Sequence, residues 1–360
     1  MFLFRFSSPR FLGLLRRAFR SAAALDALQG LIGGTEGGQK KSSLVFYNYP
    51  SLGGAFGSLF AHLYHTGLNL PFLILPFSSV EPFRVEDVRY GGIQNCYLLD
   101  FVGPKGFVRD LAKHIPKVMV FDHRQCTLSR ISTLKNCSSN LDLRIDTQTS
   151  SVREIFKYFS EKLHEDNSST ENETLLNSDD QVRVEKMLRY IEDADLRRFE
   201  LFGIKEFNIG IREVRAKLNS MTNPYLFEQL LELDADELIA KGRSFVLSRI
   251  ADTNKLLMKP FKIRLGGGLY GECLAIRADG NADLSHEIAQ ELSKRSAAAG
   301  LRPIGAVIYM QRKNLKMCLR TTNCATDTSE IAKAYGGGGK PMSSSFIIRM
   351  DEYNKWTAAC

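Results

Sequence analysis

A chain of 360 residues is long enough for two compact domains with separate cores, and 44% hydrophobic with 24% charged residues is an ordinary globular composition. It has no run of about 18 apolar residues, so no membrane-spanning helix is expected; the seven cysteines are scattered without a CxxC pair, which argues against a structural zinc site or a disulfide framework and for reduced thiols. The net charge of +8 divides into +5 over residues 1–42, −4 over 43–254 and +7 over 255–360, so the last third can attract phosphate-bearing partners.

The chain opens with MFLFRFSSPRFLGLLRRAFRSAAALDALQGL, in which five arginines precede the first acid, Asp26. Wound as a helix, Leu12, Leu15, Phe19, Ala22 and Ala23 share one face while Arg10, Arg17 and Arg20 gather elsewhere. An arginine-rich, acid-poor amphipathic helix is the pattern of an organellar transit peptide, and FLGLL is too short for a secretory core. Residues 1–41 are therefore expected to be an address and linker, mitochondrial as first choice and plastid as second. Gly30 to Lys41 reads as a flexible joint, with folding from about Ser42.

From Ser43 short apolar strands alternate with helical patterns. LVFYNY, PFLILPF, NCYLLDF and PKVMVFDH read as strands, with GAFGSLFAHLYHTG and GPKGFVRDLAKHI as helices among them. That rhythm predicts an α/β domain with a doubly wound, mainly parallel sheet, whose strands' carboxyl ends line a ligand crevice. Asp100 and Asp122 fall at two such ends. The polar stretch EDNSSTENETLLNSDD reads as a surface insertion, and helices dominate from VEKMLRYIEDADLRRFELF to about Ile250. From Lys259, FKIRL, GECLAIRA, IGAVIYMQ, LKMCLRTT and SFIIRMDEY read as strands, with LSHEIAQELSKRSAAAG and DTSEIAKAYG as helices. The expected domains are 42–215 (α/β), a helical connector 216–254, and a smaller α+β domain 255–360. GGGLYG satisfies G-x-G-x-x-G, but a strand follows it, so it reads as a hairpin turn rather than a nucleotide loop.

Several of these segments together resemble the DHH phosphoesterase superfamily, over roughly residues 43–350. In NYPSLGGAF, Asn48 stands where the family has His or Asp, and Gly53 where it has the Asp of Asp-Gly. Asp100 in LLDFVGP matches the second motif. In FDHRQ, Asp122 and His123 match Asp-His-His, and Arg124 replaces the last His. Asp195 in DADLRRF is the counterpart of a helical Asp, with Asp193 as fallback; Ser150-Ser151-Val152 replaces a Ser-Gly-Ala turn. Near the C-terminus, LKMCLRTTNCATDTSEIAKAYGGGGKPMSSSF resembles the family's string ending Gly-Gly-Gly-His. Arg320, Ser329, Gly336, Gly337, Gly338 and Gly339 fit, and Lys340 stands at the His.

The resemblance implies a metal-holding N-terminal domain and a C-terminal domain that grips substrate. Two hard cations clamp the attacking and leaving oxygens of a phosphoryl displacement, and they need about five oxygen or imidazole ligands. Asp100, Asp122, His123 and Asp195 suffice for one Mn²⁺ or Mg²⁺. Asn48 and Gly53 weaken a second, and Arg124 opposes it by charge while offering itself to phosphate. Gly336 to Gly339 are expected to form an amide nest for an anion, with Lys340 and Arg320 contacting phosphate. The expected function is binding of a nucleotide, short nucleic acid or polyphosphate with hydrolysis weak or lost. The alternatives are an active Mn/Mg-dependent phosphodiesterase or exopolyphosphatase-like hydrolase, and a ligand-free structural partner. A homodimer is left open.

Overall fold

The computed structural model describes residues 22–33, 42–80, 82–88, 92–131, 139–166 and 174–357. They divide into two compact units, Met1–Arg243 and Ser244–Cys360. In chain order the first unit carries α1 (Ala22–Gly33), β1 (Ser42–Asn48), α2 (Leu52–Gly67), β2 (Phe72–Phe77), α3 (Val85–Val88), β3 (Ile93–Leu99), α4 (Phe107–Ala112), β4 (Lys117–Asp122), α5 (Gln125–Ile131), β5 (Leu141–Ile145), α6 (Ser151–Asp166), α7 (Ser178–Asp195), α8 (Ile204–Arg215) and α9 (Leu226–Glu232). Helix α10 (Ala235–Leu256) spans the division between the units.

The five strands form an all-parallel sheet in the order β2-β1-β3-β4-β5. Both faces are covered, which is why LVFY in β1 is apolar without alternation. Val45 and Tyr47 point into one core with Phe56, Phe60 and Phe159, whereas Leu44 and Phe46 point into the other with Phe77, Phe107 and Leu111. The strand order reverses between β1 and β3, so the crevice outside their carboxyl ends is the place where an open α/β sheet binds ligands. Asn48 and Asp100 stand there.

Ordered structure starts ahead of Ser42. Residues 1–21 and 34–41 of the expected leader and linker lie outside the described residues, but α1 within that stretch buries Ala24 and Leu28 completely in the Leu44–Phe46 core. The 3/4 spacing of Ala24, Leu28 and half-buried Leu31 makes the stripe that covers this side of the sheet. Strand β5 escapes the sequence pattern, because its residues are all half-buried and LDLRI shows neither alternation nor a continuous apolar run.

The second unit continues with β6 (Phe261–Arg264), β7 (Glu272–Arg277), α11 (Ser285–Ala298), β8 (Ile304–Gln311), β9 (Asn314–Thr321), α12 (Ser329–Ala334), β10 (Gly338–Lys340), β11 (Ser343–Ile348) and α13 (Met350–Thr357). Its mixed sheet runs β10-β11-β9-β8-β7-β6, with β7 and β8 the parallel pair, joined through α11. GGGLYG is the turn of the antiparallel β6–β7 hairpin, with Gly266, Gly267, Gly268 and Gly271 at positive φ. Two expectations change here. The strand read as SFIIRMDEY stops at Ile348, and MDEYNKWT is a helix with Asp351 and Glu352 in its first turn, where acids favour the helix N-terminus. Part of the glycine run is itself a strand, β10.

Candidate functional site

The carboxyl ends of β3 and β4, neighbours in the parallel sheet, bring Asp100, Asp122 and His123 together. All three are buried, and one ligand-type atom from each lies within 4.8 Å of the others. Asp100 follows β3 at φ +66, a left-handed conformation that costs strain in a residue with a side chain and that Asp tolerates better than most. Its carboxylate is thereby surrounded by donors. Oδ2 accepts from Ser51 Oγ at 2.6 Å and Asn48 Nδ2 at 3.0 Å, and Oδ1 from Ser151 Oγ at 2.7 Å. His123 Nδ1 lies 3.0 Å from Ser151 Oγ and 3.4 Å from Asp100 Oδ1.

Arg124 occupies the centre of this cluster. Its Nη1 donates to Asp122 Oδ1 at 2.6 Å and to the Asp100 carbonyl at 2.6 Å, while Nη2 lies 3.3 Å from both carboxylate oxygens of Asp100. Asp122 is completed by Thr127 Oγ1 on Oδ2 at 2.5 Å and the His123 amide on Oδ1 at 2.9 Å. The guanidinium thus bridges two buried carboxylates as a fixed monocation. Its Nε–H makes no hydrogen bond within the described residues, and the side chain is 36% exposed, so part of the fork still faces solvent.

The electrostatics follow from these contacts. Burial alone would raise the Asp100 pKa, but the His123 hydrogen bond, the Arg124 charge and the Ser51 hydroxyl outweigh it and hold the carboxyl far below its ordinary range. Burial disfavours a charged His123, yet the hydrogen bond and charge of Asp100 raise its pKa. Burial likewise opposes the Arg124 charge, and the carboxylates of Asp100 and Asp122 more than offset it. Asp195 is different. Burial, reinforced by the charge of Asp100, pushes its pKa well up, and Oδ2 is buried with no hydrogen-bond partner.

Asp195, at the end of α7, lines the cleft beside this cluster. Asp193, the fallback, instead accepts the backbone amides of Glu200 at 3.1 Å and Leu201 at 3.3 Å, which ties down the turn after the helix. A side chain on Gly53 would start 3.1 Å from Asp195 Oδ2, so the position where the family has a second Asp does face Asp195. A cleft of about 540 Å³ beside the cluster is lined by His123, Arg124, Gln125, Thr147, Asp195 and Arg197, among others.

These donors do not fit a two-metal centre. Each oxygen of Asp100 and of Asp122 already accepts a proton donor, Asn48 presents an amide N–H rather than a carboxylate, and a guanidinium holds the space between the carboxylates. Among the described residues, Asp195 Oδ2 is the fully buried carboxylate oxygen that the cluster leaves without a hydrogen-bond partner. Sequence reasoning missed Ser51, Thr127 and Ser151. Of these, Ser51 was legible as the N-cap of α2, accepting from the Gly54 amide at 3.3 Å, and Ser151 stands in the Ser-Ser-Val that replaces Ser-Gly-Ala.

In the second unit, Arg320, Gly338 and Gly339 line a cleft of about 210 Å³ with Ser285, His286, Ser343 and Ser345, all but the first three missed in the sequence. Register explains the grouping. Arg320 on β9 is opposite Ser343 on β11, and Ser345 is opposite Gly338 on β10. The Arg320 side chain forms no hydrogen bond or ion pair among the described residues. The expected four-glycine nest is not formed. Gly336 and Gly337 donate to the carbonyls of Lys333 at 3.0 Å and Ala332 at 2.8 Å, a Schellman cap on α12, and Gly338 to Lys340 pair with β11. A Cβ on Gly337 would lie 2.3 Å from the Ser345 carbonyl, so this glycine serves close packing. Lys340 is exposed at the end of β10 and does not line the cleft.

No protein-family model matches the sequence, and no curated protein matches it either. Among solved structures the chain is similar to an exopolyphosphatase-related protein from Bacteroides fragilis, at 12% identity over 93% of this chain and 94% of that one, with a TM-score of 0.33. It is similar to the pGpG-specific phosphodiesterase PggH from Vibrio cholerae at 12% identity, over 88% and 96% of the two chains, with a TM-score of 0.34. RecJ from Thermus thermophilus in complex with Mn²⁺ matches at 14% identity over 93% of this chain and 53% of that one, with a TM-score of 0.32. Among the described residues no helix is long and apolar enough to cross a membrane.

Proposed function

We propose that this chain is a degenerate member of the DHH phosphoesterase superfamily that binds a phosphate-bearing ligand, a nucleotide, short oligonucleotide or polyphosphate, without two-metal hydrolysis. The observation that carries this reading is Arg124. It bridges Asp100 and Asp122 where the resemblance calls for divalent cations, and it places one positive charge between them from within the chain. Without a pair of dications, nothing clamps both the attacking and the leaving oxygen, and rate enhancement of phosphoryl transfer falls by orders of magnitude. What remains is recognition. Arg124 and Arg197 line one cleft, and Arg320, whose side chain has no partner among the described residues, lines the other with four serines and His286. Arg–phosphate contacts are short, charge-assisted and directional. We further propose that residues upstream of α1 address the protein to mitochondria, with plastids as the second choice.

Calorimetric titration of the full chain with Mn²⁺, beside an assay on a dinucleotide and on short polyphosphate, tests the reading. Polyphosphate should bind in excess EDTA, Arg320→Ala should weaken it by about 1–3 kcal/mol, and turnover should be absent or slow. Two bound Mn²⁺ per chain with robust turnover, abolished by Asp122→Ala, would overturn it.

A further inference from the structure

Burial along β9 of the second unit alternates strictly. Leu315, Met317 and Leu319 are buried in one core with Phe346 and Trp356, so Lys316, Cys318 and Arg320 point to the opposite face of the sheet. On that face α11 covers β7 and β8, with Ile288 and Leu292 packed in one cluster with Ile276 and Val307, and with half-buried Tyr309 and Cys318 at its rim. Beyond the rim the face opens to solvent: Ile347 on β11 is 50% exposed and Lys340 on β10 is exposed.

Residues directly opposite each other in a sheet share a face, so the register lays this one out in rows. Arg320, Ser343 and Lys340 form a row across β9, β11 and β10. Cys318, Ser345 and Gly338 form the next, and Tyr309, Lys316 and Ile347 form a third across β8, β9 and β11. Strand geometry separates Arg320 from Lys316 by about 13 Å along the backbone, and from Lys340 by about 10 Å across it. None of these nine positions is acidic. The side chains of Arg320, Lys340 and Lys316 form no hydrogen bond or ion pair among the described residues, and the Ser343 and Ser345 hydroxyls have no partner there either. Asp283 and Glu287, at the start of α11, are held by Arg249. Three cations on one sheet face without a counter-charge attract a polyanion. The rows differ in kind: the first offers only donors, whereas the third sets a cation between a phenol ring and an exposed isoleucine. A chain that pairs each phosphate with a flat apolar group meets both rows, and a bare phosphate chain leaves Tyr309 and Ile347 unused.

We infer that this face is a track for a single-stranded oligonucleotide. One phosphate is gripped at Arg320, Ser343 and Lys340, the strand runs along β9 to a further phosphate at Lys316, and a base lies over Ile347 and Tyr309. A stacked strand places a phosphate about every 3.4 Å of its axis, so only a chain several nucleotides long reaches from Arg320 to Lys316. The inference rests on the phosphate-binding reading of the chain and narrows its ligand to a nucleotide chain longer than a dinucleotide.

Calorimetry on the full chain in EDTA, with a dinucleotide, a hexanucleotide and long-chain polyphosphate, makes the test. The hexanucleotide should bind roughly tenfold more tightly than the dinucleotide, the size of one further charge-assisted contact. Lys316→Met, which keeps the aliphatic stem and removes the charge, should erase that advantage and leave the dinucleotide unchanged. Ile347→Ala should weaken the hexanucleotide about threefold and leave polyphosphate unchanged, because only a base uses the apolar surface. Thermal melts establish that both variants fold. Equal affinity for the two oligonucleotides, or an advantage that survives Lys316→Met, would overturn the track while phosphate recognition stands. Polyphosphate weakened by Ile347→Ala as much as the hexanucleotide would overturn the assignment to nucleotides. Failure of all three ligands to bind, or binding indifferent to Arg320→Ala, would overturn the phosphate-binding reading itself and this inference with it.

Discussion

Arg124 does two things at once: its single positive charge bridges Asp100 and Asp122, and part of its fork stays exposed. Arg124→Ala leaves two fully buried carboxylates facing each other without their cation, and breaking such a pair costs about 3–5 kcal/mol. With the guanidinium a third exposed, the loss should fall at the lower end, about 3 kcal/mol. The vacated space then has Asp100, Asp122 and His123 ligand atoms within 4.8 Å, so Mn²⁺ should recover much of the lost stability in the variant and little in the parent. Thermal melts with and without Mn²⁺ read this directly; a parent protein stabilised as strongly as the variant would contradict the tethered-cation account. His65 sets a pH dependence of opposite origin. Burial depresses its pKa from 6.5 to about 4. Above 6.5 both folded and unfolded imidazoles are neutral and no stability is lost; as pH falls the unfolded state takes up a proton that the buried ring refuses until about 4. On the order of 3 kcal/mol should therefore disappear across that window. Urea unfolding between neutral and acidic pH should show a shallower decline in His65→Leu than in the parent.

At the scale of elements, α1 decides where a leader can end. Ala24 and Leu28 are fully buried against the sheet face that holds Leu44 and Phe46, so removing α1 uncovers core rather than releasing a spacer. Leu28→Ala should cost about 2–3 kcal/mol, as for other buried leucines near an element end. If residues upstream act as an import signal, the mature N-terminus found by mass spectrometry should lie at or before Ala22. A mature chain starting near Ser42 with unchanged stability would show α1 to be dispensable. The glycine run teaches the same lesson. GGGG has the composition of a nest for an anion, but a helix that ends at Ala334 needs its carbonyls capped, and Gly337 and Gly339 lie so close to the Ser345 and Ser343 carbonyls that a Cβ there would clash. The run thus serves the helix end and the strand packing, and Gly338 and Gly339 line the cleft beside Arg320 and the serines.

For the whole molecule, charge is distributed by segment. Residues 255–360 carry +7 while 43–254 carry −4, so an anionic polymer is drawn to one part of the chain. Polyphosphate affinity should fall linearly on a log–log plot against salt, with a slope set by the number of phosphates neutralised, and Arg320→Ala should reduce that slope by about 1. A salt-independent affinity would mean that the basic surface takes no part in recognition.

The amino-acid sequence alone determined what depends on local pattern. Continuous apolar runs such as LVFY announced strands buried on both faces, the alternation of those runs with helical periods announced the parallel sheet, and Asp100 and Asp122 were legible because each ends a strand. The substitutions at Asn48, Gly53 and Arg124 were legible against the resemblance. Only tertiary structure decided what those residues do, because the partners are far apart in the chain. Ser51 and Ser151 reach Asp100 across 49 and 51 positions. Arg124 acts as an internal cation because the β3 and β4 loops converge on it, and no spacing rule predicts that convergence. Periodicity fixes which face of an element is buried; closure of the sheet and its layers fixes which faces meet.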